Sequence, residues 1–323
     1  MNYINKIIDG KKISRIGLGA MRMNDLRKAT EIIDAAIDHG INYLNTGDFY
    51  GHGESEMVIR EVLKTHKRED VFISVKFGGM LTPSGQFYGI DVRPQAVQNY
   101  LAYTLKRLGT DYVDLYQPAR INPHIPVEDT IGAVADMVKA GYVRNIGITE
   151  VDAHTLRIAN ATHSIAMVEL GYSLLNRQIE EELIPTAREL GIEIVAFANL
   201  FHGIIGGRNR DIKVSELSKR MNPEAAILFR KAVSRLDGLQ SLAEEKHISV
   251  SQLAIAWVLA KGNDLVDLVG ASSVNQLTEI LQALDVNLND NDLMQIDDIV
   301  PKQFACNTAM LNIDLDENGM FKF

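Results

Sequence analysis

Short apolar runs alternate with amphipathic segments along most of the chain. A run such as 71–75 has the length and apolar content of a buried strand, whereas segments such as 54–66 and 93–108 carry apolar residues at helical spacing. Several helical segments are followed by a glycine, a residue that commonly ends helices: these are Gly40, Gly109, Gly141 and Gly191. Strands and helices that alternate with short connections predict a parallel sheet.

The predicted elements form an N-terminal hairpin followed by eight strand–helix units. The hairpin turns at Asp9-Gly10, a strong two-residue turn signal. The predicted strands are 15–21, 41–46, 71–75, 112–116, 143–148, 165–169, 192–197 and 265–269. The predicted helices are 28–39, 54–66, 93–108, 127–140, 152–161, 178–190, 224–246, 249–261 and 274–285, with longer loops at 77–92 and 198–222. Eight units at this length predict an α/β fold, a closed (β/α)8 TIM barrel with an N-terminal β-hairpin and a C-terminal helix plus tail in residues 288–323.

Composition narrows the class of protein. No linker or shift in composition divides residues 1–323, so we expect one domain. A net charge of −9 argues against a nucleic-acid-binding surface, and no apolar run approaches the length of a membrane span. A lone cysteine, Cys306, excludes an internal disulfide framework and fits a reducing compartment, so we expect a cytoplasmic protein. The oligomeric state stays open.

Candidate chemistry lies where a barrel places it, in the loops after the strands. Tyr50 follows one predicted strand, and Lys76 ends the next one along the chain. A phenol has a pKa near ~10, so a cationic neighbour would help it to act as a proton donor near neutral pH. The alternative is structural, since a tyrosine in such a loop usually packs and a lysine after a strand is usually solvated. Histidines and the cysteine show no metal-ligand spacing, so we predict no metal.

Several longer motifs make the chain similar to the aldo-keto reductase family. They are Thr46-Gly47-Asp48-Phe49-Tyr50-Gly51, Ser74-Val75-Lys76, Gly109 to Tyr116, Lys139 to Gly147, Tyr172 to Arg177 and Val269-Gly270-Ala271-Ser272. The resemblance implies an eight-stranded barrel that uses a nicotinamide cofactor to reduce carbonyl compounds. It also implies a catalytic group of Asp, Tyr, Lys and His.

Two members of that catalytic group are replaced in this chain. The resemblance assigns the Tyr to Tyr50 and the Lys to Lys76, but Asn45 stands at the Asp position and Ala119 at the His position. Asn45 can still orient Lys76, and the loss of the negative charge leads us to expect a more acidic Tyr50. The pattern of Asn45 to Gly51, together with Ala119-Arg120, resembles a pyridoxal-reductase-like branch.

The resemblance also assigns the cofactor contacts. They are Gly19, Ala20, Met21, Thr149, Glu150, Glu169, Phe197, Ala198, Asn199, Leu200, Gly203, Gly270, Ala271, Ser272, Gln276 and Glu279. Relatives commonly carry neutral side chains where Glu150 and Glu169 stand, and many hold the 2′-phosphate of the cofactor with a cation where this chain has Ser273. We therefore predict NADP(H), with NAD(H) as the alternative and weak discrimination between them. Arg208 or Arg210 is a candidate cation for the phosphate.

The resulting prediction is an NAD(P)H-dependent oxidoreductase that reduces small aldehydes or ketones, pyridoxal-like compounds included. Tyr50 would give the proton, with help from Lys76. The two replaced positions leave a rival open, a catalytically weakened barrel that binds the cofactor as a sensor or regulatory subunit. We expect a small carbonyl substrate as the partner, and neither nucleic acid nor a membrane.

Overall fold

A computed structural model describes residues 3–23, 25–207, 213, 223–304 and 315–321. The strands are β1 Tyr3–Ile8, β2 Lys11–Ser14, β3 Ile16–Gly19, β4 Tyr43–Gly47, β5 Phe72–Phe77, β6 Gly79–Leu81, β7 Phe87–Ile90, β8 Val113–Pro118, β9 Val143–Thr149, β10 Ile165–Gly171, β11 Glu193–Phe197 and β12 Leu265–Val269. Eight of them are parallel and close into a barrel in the order β10-β11-β12-β3-β4-β5-β8-β9. The predicted (β/α)8 TIM barrel and its N-terminal hairpin are confirmed.

Helices surround the barrel. They are α1 Leu26–Asp38, α2 Glu54–Val62, α3 Pro94–Leu108, α4 Val127–Lys139, α5 Ala153–Thr162, α6 Leu183–Glu189, α7 Pro223–Val233, α8 Gly238–Glu245, α9 Val250–Ala260, α10 Val274–Leu281 and α11 Asp290–Ile299. Capping side chains begin several of them: Asp152 before α5 and Ser249 before α9 each accept a backbone N–H bond of the first turn. Within the described ranges, no helix is long and apolar enough to cross a bilayer.

The barrel interior is a packed layer rather than a pore. Alternate strand residues face inward, and the inward residues near the start of the strands are large and apolar: Tyr43, Phe72, Leu115, Met167, Val195 and Val266. Ile4, Ile8 and Ile13 of the β1–β2 hairpin pack against this layer from below. The hairpin therefore closes the end of the barrel at which the strands begin.

A buried ion cluster joins that hairpin to the barrel. Asp114 on β8 has no exposed surface, and its two oxygens lie 2.6 Å from Lys11 Nζ and 2.6 Å from Arg68 Nη2. The backbone N–H of Ile73 donates to the same carboxylate at 2.8 Å. Lys11 belongs to β2, so this cluster fixes the hairpin to two barrel strands.

Some local predictions differ from the structure. The predicted loop 77–92 contains the antiparallel pair β6–β7. The predicted helix 224–246 is two helices, α7 and α8, separated by residues 234–237. The second begins at Gly238, where an added Cβ would lie 3.0 Å from Ile299. The predicted helix 178–190 begins as a separate 3-10 turn at Gln178–Glu180. The candidate cations Arg208 and Arg210, and also Cys306, lie outside the described residues.

The opposite end of the barrel, which we call the mouth, carries the β6–β7 hairpin and residues 315–321. The backbone N–H of Ile90 donates to Gly319 O at 2.7 Å, and that of Phe321 donates to Tyr88 O at 3.0 Å. The ring centres of Phe87 and Phe321 are 5.0 Å apart. The end of the described chain is therefore part of the rim of the mouth.

Candidate active site

A polar layer lies directly above the apolar layer of the barrel. Asn45, Gln117 and Glu169 each stand two residues after the inward-facing apolar residue of their strand, and Lys76 stands four residues after Phe72, so their side chains face the same interior at the mouth end. All four are at most 4% exposed. Gly147 makes room in this layer, since a Cβ there would lie 2.8 Å from Gln117 Oε1. Predicted residues from β4, β5 and β10 are thus brought together.

Lys76 and Glu169 form a buried ion pair at the centre of this layer. Lys76 Nζ lies 2.7 Å from Glu169 Oε1 and also donates to Asn45 Oδ1. Glu169 Oε2 accepts from Asn45 Nδ2 at 2.7 Å and from Gln117 Nε2 at 2.6 Å. Burial alone lowers the pKa of Lys76, but the Glu169 carboxylate and the Tyr50 phenol outweigh it, and the pKa is raised above its usual value.

Tyr50 stands at the rim of this cluster. It opens a tight turn, Tyr50–Gly53, in which Gly51 has the left-handed φ of 57° that favours glycine. Lys76 Nζ lies 5.4 Å from the centre of the half-buried Tyr50 ring. Burial raises the pKa of the phenol, Lys76 and Arg120 oppose that shift, and Glu169 adds to it. Tyr50 is therefore a protonated phenol at neutral pH, with cations beside it.

The expected increase in Tyr50 acidity rested on the missing charge at position 45. The structure removes that premise, because the Glu169 carboxylate contacts Lys76 directly. The negative charge that the resemblance places on β4, and that Asn45 lacks, is carried by Glu169 on β10. A role for Glu169 in holding the cofactor stays a prediction, and in the structure both of its oxygens are engaged by Lys76, Asn45 and Gln117.

The position expected to carry histidine is small and buried. Ala119 is 2% exposed and follows the end of β8. The next residue, Arg120, is half-buried, and its Nη1 donates to Ala119 O at 2.6 Å. Arg120 Nε is buried and has no hydrogen-bond partner in the described part of the chain. A cation with an unused Nε–H thus stands near Tyr50, next to the position that the resemblance assigns to histidine.

The residues assigned to the cofactor lie toward the ends of β3, β9, β10, β11 and β12, in the loops that follow these strands, and in α10. Glu150 has a φ of 50°, and its Oε1 accepts the N–H of Gly171 at 2.5 Å. Asn199 Nδ2 donates to Asp267 at 2.7 Å, a carboxyl group whose pKa burial raises to about 7. Gln276 Oε1 accepts from both the N–H and the hydroxyl of Ser272 at 2.8 Å.

Three features of the mouth, at the ends of β9, β11 and β12, fit a nicotinamide nucleotide. Phe197 ends β11 as a half-buried aromatic ring, a suitable surface for a flat heterocycle. Thr149 Oγ1 is buried and has no hydrogen-bond partner among the residues that the structure covers. Gly270 faces open space, with nothing within 4 Å of where its Cβ would be. The individual contacts of all the assigned residues, from Gly19 to Glu279, stay predictions.

Sequence reasoning missed two members of the polar layer, Ser74 and Gln117. Ser74 Oγ accepts from Asn45 Nδ2 at 3.4 Å and from Gln117 Nε2 at 3.3 Å. Polar residues at inward positions of otherwise apolar strands would have revealed both. Within the described ranges, no group of three or more His, Cys, Asp or Glu residues is arranged to hold a metal ion.

Comparison with known proteins places this geometry in a family. The model of the family described as "Aldo/keto reductase family" matches residues 15–301. A protein from Glycine max named "Probable aldo-keto reductase 1" is 33% identical over 301 residues, which cover 90% of this chain and 87% of that protein. A Strobilurus tenacellus protein named as an aldo-keto reductase is 31% identical over 294 residues, covering 88% and 85% of the two chains.

Solved structures share the fold. A glycerol dehydrogenase from Gluconobacter oxydans superimposes with a TM-score of 0.81 at 23% identity, covering 92% of this chain and 94% of that one. A thermostable aldo-keto reductase solved with the inhibitor epalrestat gives a TM-score of 0.74 at 28% identity, covering 93% and 100% of the two chains.

Proposed function

On the premise that this chain belongs to the aldo/keto reductase family, we propose that it reduces small aldehydes or ketones to alcohols with NAD(P)H. The family consists of oxidoreductases that use nicotinamide cofactors, generally NADPH, on small carbonyl compounds. The observation that carries the proposal is the buried Lys76 ammonium beside the half-buried Tyr50 phenol, both at the mouth of the barrel.

The bound cofactor would supply a hydride to the carbonyl carbon. The chain's own part is to stabilise the negative charge that then develops on the carbonyl oxygen. Tyr50 holds a proton that it can give to that oxygen, and Lys76, as a neighbouring cation, stabilises the phenolate left behind. Asn45 and Glu169 accept hydrogen bonds from Lys76 and hold it in place, and Gln117 donates to Glu169.

We further propose that the substrates include pyridoxal-like aromatic aldehydes. Ala119 leaves space where the family's histidine ring would stand, and a flat ring can use that space. The Nε–H of Arg120, buried and without a partner in the described chain, would serve a phenolate or another acceptor on the substrate after the side chain turns. The phenolic oxygen beside the aldehyde of pyridoxal is such an acceptor.

We propose NADP(H) as the cofactor, with NAD(H) accepted at a modest disadvantage. Residues 270–282, which include the assigned Gln276 and Glu279, contain no lysine or arginine. Serine hydroxyls and backbone N–H groups near Ser272 can bind a 2′-phosphate but lack a charge-assisted fork. Titration of both cofactors tests this point, and a preference above roughly a thousandfold, about 4 kcal/mol, would mean that a cation reaches the phosphate.

The central test is turnover of a carbonyl panel by wild type and Tyr50→Phe. Wild type should reduce pyridoxal with a higher kcat/KM than it shows for short aliphatic aldehydes. Tyr50→Phe should lose roughly a hundredfold or more of kcat, the usual contribution of a general acid, with cofactor affinity nearly unchanged. A mutant that keeps most of its kcat would remove Tyr50 from the role of proton donor.

The second candidate function is a cofactor-binding sensor on the same barrel. The observation that favours it is that the buried Ala119 stands where the family has its histidine. The same panel separates the two functions. Tight cofactor binding without turnover of any aldehyde, in either cofactor, would support the sensor.

A further inference from the structure

We propose that Glu169 is a positioning residue that holds Lys76 as an ammonium ion against Tyr50, in place of an acid at position 45. The inference rests on the proposed role of Tyr50 as proton donor. It assigns the negative charge of the site to β10, across the barrel from β4, where the family's acid would stand and this chain has Asn45.

The geometry of the ion pair carries the first step of the argument. Lys76 is 4% exposed and Glu169 is 3% exposed, with Nζ and Oε1 2.7 Å apart. A lysine that is buried without an anion tends to lose its proton, because burial penalises the charged form. The amide of Asn45 contacts the same Nζ but brings no charge. The charge that keeps Lys76 protonated is therefore the one on Glu169.

The other ionisable groups at the mouth do not replace it. Tyr50 and Tyr43 are phenols whose pKa values are raised by burial, so they stay neutral. Arg120 is a cation. Glu150 turns its Oε1 to the backbone N–H of Gly171 at 2.5 Å. Of the groups that act on Lys76, Glu169 is the carboxylate that raises its pKa.

The contacts are compatible with an exchange of acid and amide between the two positions. Asn45 Nδ2 donates to Glu169 Oε2 at 2.7 Å, and each of the two side chains accepts from Lys76. With Asp at 45 and Gln at 169, the amide would donate in the opposite direction and Lys76 would keep both acceptors. Gln117 Oε1, which is buried without a partner in the described chain, could accept from the new amide after a flip.

The experiment is a charge exchange with four proteins: wild type, Glu169→Gln, the double variant Asn45→Asp with Glu169→Gln, and Glu56→Gln as control. Glu56 is another fully buried carboxylate, but it pairs with Arg107 outside this layer. The measurement is kcat for carbonyl reduction between about pH 6 and about pH 10. A purely structural role of Glu169 would lower kcat equally at all pH values.

We expect Glu169→Gln to be active at the acidic end of this range and to lose activity with rising pH at least about one unit earlier than wild type, because its Lys76 deprotonates sooner. In the double variant, the alkaline limb of the kcat–pH profile should return to its wild-type position, and in Glu56→Gln this limb should not move. An alkaline limb that is the same in wild type and Glu169→Gln, or a double variant that behaves like Glu169→Gln, would overturn the inference.

Denaturant unfolding of the same proteins gives a readout that needs no turnover. A lowered Lys76 pKa in the folded state means that the unfolded state binds more protons. The folding equilibrium constant of Glu169→Gln should then rise by up to about tenfold per pH unit relative to wild type over the alkaline range, and the double variant should follow wild type. If no protein in the set reduces a carbonyl, the proposed function fails, but this arm still decides whether Glu169 holds the charge on Lys76. Parallel pH dependence in all four would contradict it.

Discussion

Asp48 is a buried acid two residues before Tyr50. It is 8% exposed; Oδ2 accepts the N–H of Gly78 at 3.3 Å, and Oδ1 has no partner in the described chain. Burial raises the pKa of Asp48 to about 8, and the nearby Glu56 adds to the shift, whereas the Gly78 N–H and Arg107 oppose it. Between its ordinary pKa of 3.8 and about 8, the folded protein therefore holds a proton here that the unfolded chain releases.

Asp48→Asn should flatten the pH dependence of stability. In wild type the contribution of Asp48 is fully present below the unfolded pKa and is lost as pH rises to the folded pKa, by up to about 1.4 kcal/mol per pH unit. The variant should be more stable than wild type near about pH 8.5 and closer to it near about pH 5. Unfolding free energies at both pH values measure this, with the exposed Asp38→Asn as control. Equal differences at the two pH values would contradict the shifted pKa.

At the scale of single residues, motifs in the sequence selected the candidate reactive groups but did not show which side chains contact each other. Tyr50 and Lys76 follow from short motifs at strand ends. The Lys76–Glu169 contact joins residues 93 positions apart, and the sequence shows only that both lie at the mouth. Whether Glu169 turns to Lys76 or away depends on the packing of neighbouring side chains such as Gln117. Pairing of that kind is a property of the closed barrel.

At the scale of elements, strand and helix locations were predictable and the β6–β7 hairpin was not. Barrel strands show as apolar runs because they are buried on both sides. The two strands within residues 79–90 are short and glycine-bearing; they pair with each other, and β7 also meets a segment more than two hundred residues later in the chain. Gly89 bridges to Met320, a contact that no local pattern reveals.

Phe321 connects residues 315–321 to the loop that contains Tyr50. Its ring centre lies 5.0 Å from that of Phe87, which lies 5.7 Å from Phe49, the residue before Tyr50. Phe321→Ala should loosen this wall of the mouth and raise KM for aromatic aldehydes by about two- to tenfold, the value of one aromatic pair. Cofactor affinity should stay the same. Tyr142→Ala, which removes a 47% exposed ring at the other end of the barrel, is the control. An unchanged KM would exclude Phe321 from the substrate's surroundings.

At the scale of the whole molecule, we propose that residues 1–323 unfold as one domain. The barrel strands contribute to two buried clusters, one shared with the outer helices and one shared with the hairpin, and the ion cluster at Asp114 joins the hairpin to the barrel. The only tryptophan, Trp257, is fully buried on α9, far along the chain from that cluster. Its fluorescence therefore reports on a different part of the same fold.

Asp114→Asn should destabilise the entire molecule by about 3–5 kcal/mol, because it leaves Lys11 and Arg68 largely buried without their anion. Denaturant unfolding followed by Trp257 fluorescence and by far-UV circular dichroism should show one coincident transition, shifted to lower denaturant. Lys11→Met should cost less, since Asp114 keeps Arg68. Two separate transitions would argue against one domain, and a loss below about 1 kcal/mol would argue that the cluster is not important for stability.

The position of the hairpin also determines how the protein would sit on a solid support. Strands of five to seven residues rise about 3.3 Å per residue, so the hairpin and the mouth are separated by roughly 15–20 Å along the barrel axis. Ile7 on the hairpin is 57% exposed, so a coupling group placed there would turn the mouth away from an electrode or a bead. Coupling through residues 315–321 would press the entrance against the support. The choice of attachment point thus decides whether immobilised molecules are open to substrate.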